Sequence, residues 1–393
     1  MSIKMKYNIL SFLFYIAGCC FAGFVAVFLQ YKGVSNTLIG VVTGSGCVTA
    51  IFLTPFLSSL VIKIKGLNVK KMIYIVYSCL AVVYLAISLF PIPPLFVMVI
   101  YMVVYALYLS AGPFMQLLAS DYMRIGEDVN FGLARGLGST AWAVGALGFG
   151  FLVDIFTPTI LCIGFLFFTL CMLGFLSTMP TVETVTSTDK KSGSVFYIVR
   201  RYPIFTGVLF GFALMLSAAT SLSTYLINIV NNLGGDTSFF GIAVFLMAFS
   251  EMPVMAITPS LMRRYKSIQL IGFATVCYVL RNFLICLSPN LLVLCVGMVF
   301  QGLSFGMLTA VLTYYVIYNL EPIDQVMGQT MIIMMTSGLG AMIGNLLGGV
   351  LQDTFGLEAM YIFVYTLTLL GASIVAFAKF KSREPQLKIE IKR

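Results

Sequence analysis

Long apolar runs separated by short polar turns occupy almost the whole chain. A helix needs about 20 apolar residues to cross a hydrocarbon core, and windows of that kind recur twelve times. They predict helices at 7–31, 36–62, 72–90, 95–119, 131–153, 158–178, 203–230, 238–262, 267–287, 290–318, 326–350 and 357–380. The first run is too long for a secretory signal core and lacks a convincing cleavage site, so it counts as the first membrane helix. The pattern is that of an all-α membrane protein with twelve transmembrane helices.

The polar punctuation orients these helices. Of the 23 Lys and Arg residues, twenty fall at the N-terminus, in alternate loops or in the tail, from Lys4 and Lys6 through Lys63, Lys65, Lys70 and Lys71 to Lys392 and Arg393. Lys32 alone marks the other side. Lys- and Arg-rich loops stay cytoplasmic, so both termini are expected in the cytoplasm, with the chain in the plasma membrane (the cell inner membrane). The remaining two, Arg135 and Arg281, lie inside apolar segments. A guanidinium there costs about 2.5–3.5 kcal/mol on insertion scales, so each is expected to face a wet cavity or a buried acid.

Composition narrows the function. Apolar residues make up 60% of the 393 and charged residues 9%, against roughly a quarter charged in a soluble domain. The net charge of +9 is spread over short loops. It reads as a topology signal rather than a phosphate-binding patch, so no nucleic-acid partner is expected. Nine cysteines, an odd number with no CxxC pair, and a complete lack of histidine speak against a disulfide framework or a zinc site. The thiols are packing residues on this reading, and no metal or cofactor is expected. A polytopic lipid enzyme would use clustered histidine, cysteine or metal ligands at the interface, and the chain has no such cluster.

The chain also repeats itself. Gly145, Leu147, Gly150, Leu152, Asp154 and Phe156 recur 199 residues later as Gly344, Leu346, Gly349, Leu351, Asp353 and Phe355, and Thr54-Pro55 answers Thr258-Pro259. The longest loop, rich in Thr, Ser and charge, separates the copies. The expected organisation is a six-helix bundle over 1–179, a cytoplasmic linker over 180–202, a second bundle over 203–382 and a tail over 383–393. Two parallel six-helix repeats related by an axis along the membrane normal are the plan of the major facilitator superfamily.

Candidate chemistry concentrates in a few places. In the fifth segment, Arg135, Ser139 and Trp142 are spaced by four and three, so they share one helical face over roughly 10 Å. Trp142 is the only tryptophan. Its indole suits the face of a sugar ring or a planar base, while the guanidinium offers a fork of donors to hydroxyls or a carboxylate. Alternatively, Arg135 snorkels to the nearby surface and Trp142 merely packs. The eighth segment holds Glu251 near its middle, followed by Pro253, which removes a backbone donor. Arg281 of the ninth segment is its natural partner, either in a static ion pair or beside a carboxylate that exchanges a proton. Asp121, a turn and more beyond Gln116, either pairs with Arg135 or caps its helix end, and Glu127 and Asp128 are solvated loop residues. Ser217, Thr220, Ser221, Ser223, Thr224, Tyr225 and Asn228, with Gln301, Ser304, Thr309 and Thr313, suit a cavity for a polar, largely uncharged solute, although Ser and Thr also bind helices together. Gly340, Gly344 and Gly348 form a small-residue packing face.

The run from Asn130 to Trp142, NFGLARGLGSTAW, resembles the fifth-helix signature of the lactose permease branch, the oligosaccharide:proton symporters of that superfamily. The segment FLQYKGVSNTLIG, Phe28 to Gly40, is similar to the family's junction between helices 1 and 2. The resemblance implies that Arg135 and Trp142 bind sugar, that Glu251 contacts sugar and joins proton coupling, and that Arg281 lies near the proton site, with Asp121 a looser match. It also exposes departures. The family's helix-10 lysine, histidine and glutamate fall on Met298, Gln301 and Ser304, and the paired helix-7 acids and helix-11 lysine are missing. The substrate-binding assignment is Arg135, Ser139, Trp142, Glu251 and Gln301; the coupling assignment is Glu251, Arg281 and Asp121. The expected protein is a monomeric, lipid-embedded importer of a sugar, glycoside or nucleoside working by alternating access, with the proton as coupling ion. An uncoupled facilitator or an efflux antiporter is the alternative. Efflux would favour a Gly-Pro motif in helix 5, where Ala146 follows Gly145.

Overall fold

The computed structural model describes residues 1–127, 129, 131–182, 195–321 and 324–381. Asp128, Asn130, Lys190, Lys191 and the tail 383–393 lie outside the described residues. Among those described, twelve helices are long and apolar enough to cross a membrane: α1 (Ile3–Gly23), α2 (Asn36–Val61), α3 (Val69–Leu89), α4 (Pro94–Arg124), α5 (Leu133–Ile155), α6 (Ile160–Ser177), α7 (Pro203–Thr224), α8 (Thr237–Met262), α9 (Ser267–Cys286), α10 (Leu291–Asn319), α11 (Met327–Phe355) and α12 (Leu357–Phe380). Each matches an apolar run, because a helix alone satisfies its backbone groups within one segment in lipid. A seven-residue helix, Val195–Arg201, lies where the sequence suggested only linker. It buries Ile198 and leaves Phe196 and Arg200 exposed.

Local chemistry sets the helix starts. Ser35, Asn68, Asp236 and Asn290 accept from the backbone amide three residues on, at α2, α3, α8 and α10, and Pro94 and Pro203 open α4 and α7, where the missing N–H costs nothing. Three membrane helices contain a π-helical stretch: Cys19–Gly23 in α1, Gly302–Gly306 in α10 and Met334–Gly340 in α11. Such bulges leave backbone groups seeking other partners. In α1 the Phe21 carbonyl accepts from the Tyr101 hydroxyl at 2.8 Å, and the Phe21 ring stacks on Tyr101 at 4.9 Å.

The helices fall into two sets, α1–α6 and α7–α12, joined mainly through α5 against α8 and α2 against α11. The two crossings are built alike. Gly33 and Gly234, both at φ +79°, make the turns into α2 and α8, a backbone conformation that favours glycine. A Cβ on Gly40 would run into the Asn345 carbonyl, and one on Gly241 into that of Ala146. Two aspartates complete the symmetry. Asp353 accepts from the Thr37 amide at 2.5 Å and Asn36 Nδ2 at 2.9 Å, while Asp154 accepts from the Thr237 amide at 3.1 Å and the Ser238 amide at 2.5 Å. Each carboxylate at the end of one helix thus caps the start of a helix in the other set, where the helix dipole favours negative charge.

A network of side-chain hydrogen bonds within and between the sets occupies this end, opposite the start of α1. Gln30 donates to Asn36 and Asn228, Asn228 donates to Asn36 and to Gln352 at 2.7 Å, and the Tyr225 hydroxyl bonds the carbonyls of Asn36 and Asn345. The molecule is closed there. Arg135, near the start of α5 at the opposite, basic end, stays exposed.

Candidate functional site

A cavity of about 210 Å³ lies between the two sets, lined by Tyr15 of α1, Arg135, Ser139 and Trp142 of α5, and Met247, Ala248 and Glu251 of α8. The α5 residues share one face, as their spacing of four and three requires. Met247, Ala248 and Glu251 repeat that logic on α8. Arg135 and Glu251 therefore present opposite charges to one space from the two halves of the molecule.

On the α5 side, Arg135 Nη1 donates to Ser139 Oγ at 3.0 Å. The guanidinium carbon sits 5.0 Å from the centre of the Tyr15 ring, within cation–π range. That ring rests on Gly138, where a Cβ would strike three of its carbons. The Trp142 indole is held against α1 at Gly18 and Gly23, whose added Cβ atoms would lie 3.4 and 3.1 Å from it. Gly18 precedes the π-helical stretch of α1 and Gly23 is its last residue, so the missing side chains there make room for the indole.

On the α8 side, Gln301 Nε2 donates to Glu251 Oε1 at 2.9 Å. The π-helical stretch of α10 begins at the next residue, and its Gly302 amide donates to Ser250 Oγ at 3.0 Å. Gly306, one turn further, lies 3.6 Å (from an added Cβ) from the Glu251 Cα. Gly302, where a Cβ would strike the Ser250 carbonyl, thus lets α10 press against α8 beside Glu251. Gln301 reaches the site through Glu251 rather than by lining the cavity.

One expectation is corrected, and two that offered alternatives are narrowed. Arg281 is fully buried (0% exposed), but it does not pair with Glu251. Its Nη1 donates to Asn282 Oδ1 at 2.9 Å and its Nη2 meets Met247 Sδ at 3.9 Å. Among the described residues no carboxylate lies within ion-pair distance of it. Met247 stands between this guanidinium and the cavity that Glu251 lines. Asp121 pairs with Arg124 at 3.4 Å, whereas the contacts of Arg135 are with Ser139 and Tyr15. Finally, several helix-7 polar groups do not line the cavity. Ser221 Oγ donates to the Gly344 carbonyl, Thr224 Oγ1 to Asn345 Oδ1, and Tyr225 and Asn228 belong to the closed end. In α10, the hydroxyls of Ser304 and Thr313 bond back to carbonyls of their own helix. The Gly340, Gly344 and Gly348 face packs on α7 at Ala213, Ser217 and Ser221, inside one half.

Tyr15, Met247 and Ala248 were not singled out by sequence. The signal for Tyr15 is faint: one tyrosine in an aromatic-rich helix, opposite a glycine, Gly138, that sits one turn beyond Arg135.

Twelve membrane helices in two related sets around a central polar cavity define a multi-pass membrane transporter of the major facilitator fold, not an enzyme. The model of the MFS_1 like family matches residues 4–363, and the chain belongs to that family. It is 23% identical over 259 residues to a maltose permease of Geobacillus stearothermophilus. That match covers 65% of this chain and 64% of the permease, so the aligned part spans just under two thirds of this relative. Among solved structures it is similar to the nucleoside transporter NupG, with a TM-score of 0.78 at 17% identity over 98% of this chain and all of that one. It is also similar to a bacterial homologue of the human lysosomal transporter Spinster in an inward-facing, occupied conformation, with a TM-score of 0.66 at 12% identity and 97% of each chain covered. These likenesses speak to the fold.

Proposed function

We propose that this protein imports a small polar solute, a sugar, glycoside or nucleoside, by alternating access, driven by a proton gradient. The observation that carries this reading is the placement of Arg135 and Glu251 on opposite halves of one cavity. A solute with several hydroxyl or amide groups can accept from the guanidinium and donate to the carboxylate at once, drawing the halves together. Trp142 supplies a flat apolar face for a sugar ring or a base. A cavity of about 210 Å³ is smaller than the roughly 300–1,000 Å³ of drug-sized sites, which suits a small solute. The similar proteins, a maltose permease and a nucleoside transporter, are named for solutes of this chemical class.

In this reading the basic end is cytoplasmic, the membrane is the plasma membrane, and the protein acts as a monomer. Residues 1–179 and 203–382 move against each other about the linker 180–202, with 383–393 as the cytoplasmic tail. Glu251 is the proton carrier, because it is the one carboxylate lining the cavity among the described residues. Gln301 orients it, and Arg281 acts as a buried positive charge behind Met247. Asp121 has a secondary part through the helix end it shares with Arg124.

The test is uptake of labelled maltose, glucose and uridine into proteoliposomes, with and without an inward proton gradient. Gradient-driven accumulation that Glu251→Gln abolishes supports coupled import. Equal uptake with and without the gradient, unaffected by Glu251→Gln, makes the protein a facilitator. Export of the solutes, or no movement of any, contradicts import.

A further inference from the structure

Helix α1 contributes Tyr15 to the cavity, a residue outside every assignment made above. Its ring is fixed from two sides. One is Gly138, which lacks the Cβ that would otherwise strike the ring. The other is Phe14, whose ring meets it edge-on at 5.2 Å. Over it lies the Arg135 guanidinium at 5.0 Å, which also donates to Ser139 at 3.0 Å. A ring face beneath the guanidinium carbon and one committed N–H restrain the orientation of a guanidinium, which has five donors in a rigid fork. An arginine side chain is otherwise long and rotamer-rich, and Arg135 is exposed, so without these contacts it would sample many orientations.

We propose that Tyr15 is the positioning residue of the solute site: seated on Gly138, its ring holds the Arg135 fork in the orientation that receives the solute. The inference rests on the reading that Arg135 binds solute. The residue pattern then has a logic that the α5 sequence alone does not show. Arg135, Gly138, Ser139 and Trp142 lie on one face because two of them meet solute, one clamps the arginine and the glycine admits the tyrosine. Discrimination follows from it. A fixed fork accepts solutes whose hydroxyls match its plane, and a loose one accepts more solutes, each more weakly.

The sole tryptophan gives a test that needs no solute. Trp142 lies seven residues, about 10 Å along the helix, from Arg135. A guanidinium held over the cavity raises the local concentration of anions within a Debye length of about 10 Å at 0.1 M salt. Quenching of Trp142 by iodide, divided by quenching by neutral acrylamide, therefore reports where the guanidinium is. The ratio is expected to be at least twofold higher in wild type than in Arg135→Gln. Tyr15→Phe, which keeps the ring, should match wild type. Tyr15→Leu and Gly138→Ala should fall toward Arg135→Gln, and Gly138→Ala should add nothing on the Tyr15→Leu background, since no ring remains to displace. A wild-type ratio equal to that of Arg135→Gln, an unchanged ratio in Tyr15→Leu, or independent effects of the two substitutions each overturn the proposal. If Tyr15→Leu does not assemble, Tyr15→Met, unbranched and without a ring face, replaces it in the same comparison.

A second arm uses maltose and uridine uptake. Half-saturation should rise about tenfold in Tyr15→Leu with a smaller change in maximal rate, and return to wild type in Tyr15→Phe. If Arg135→Lys weakens uptake while Tyr15→Leu is silent, only the positioning role fails. If Arg135→Lys is itself silent, the solute-site reading fails, whatever the quenching ratio shows.

Discussion

Asp353 and Thr37 are joined by a 2.5 Å hydrogen bond from the Thr37 amide to the carboxylate, linking the last turn of α11 in one half to the first turn of α2 in the other. The repeat places Asp154 and Ser238 in the same relationship, also at 2.5 Å. The two sites differ in their surroundings. The Asp353 site adjoins the amide cluster of Gln30, Asn36, Asn228 and Gln352, whereas Asp154 is joined by the Ser238 hydroxyl at 2.5 Å.

Loss of either carboxylate should loosen its own crossing. Hydrogen bonds to charged groups contribute about 1.5–3 kcal/mol. Asp353→Asn should therefore speed exchange of the Thr37 amide roughly 10- to 150-fold, leaving Ser238 near its wild-type rate. Asp154→Asn should do the reverse. Hydrogen–deuterium exchange in detergent or nanodiscs reads both. Unchanged protection of Thr37 in Asp353→Asn contradicts the assignment.

The glycine crossings should be intolerant of bulk. A leucine at Gly40 or Gly241 meets a backbone carbonyl of the opposite half, which cannot swing aside like a side chain. Overpacking costs about 1–3 kcal/mol, so closure of this end should be disfavoured some 5- to 150-fold. Transport should fall by at least tenfold while solute binding persists. Uptake measured beside binding on the same preparation separates the two.

Glu251→Gln keeps an oxygen acceptor for Gln301 Nε2 and removes the ionisable group. Solute counterflow should continue within about threefold of wild type, whereas accumulation against a gradient should collapse to equilibration. Proteoliposome counterflow and gradient-driven uptake make the comparison. Loss of both would instead make Glu251 a residue needed for binding alone.

Among the described residues no carboxylate lies within ion-pair distance of Arg281, and a buried charge without an ion-pair partner carries a desolvation cost that its removal relieves. Arg281→Met should therefore hold or raise the melting temperature in detergent. Had Arg281 been paired with Glu251, the same change would leave a buried carboxylate unmatched and lower it. Thermal unfolding of the purified protein distinguishes these outcomes.

Much of this architecture was legible in the sequence, and the reasons are physical. Lipid offers the backbone no partners, so each apolar run had to be a helix, and the recurrence of Gly150 and Asp154 as Gly349 and Asp353 marked the matching crossings. The shared face of Arg135, Ser139 and Trp142 followed from helical periodicity. Tertiary partners did not follow. Periodicity gives the face of a helix but not which neighbour meets it, so Glu251 was matched with Arg281 when Gln301 is its partner. Polarity says that Thr224 and Asn228 need hydrogen bonds, not whether solute or protein supplies them, and here they hold helices together. Tyr15 carried almost no signal of its own, because its place depends on the absence of a side chain at Gly138. The π-helical stretches in α1, α10 and α11 left no periodic trace.

The most direct test of the central claim, that solute binds between Arg135 and Glu251, is titration of Trp142 emission with maltose and with uridine. A saturable change is expected with at least one of them, lost in Arg135→Gln and weakened at least tenfold in Glu251→Ala, and retained in Asp121→Asn. A solute that the protein transports while Trp142 stays silent, or whose binding survives Arg135→Gln, would contradict it.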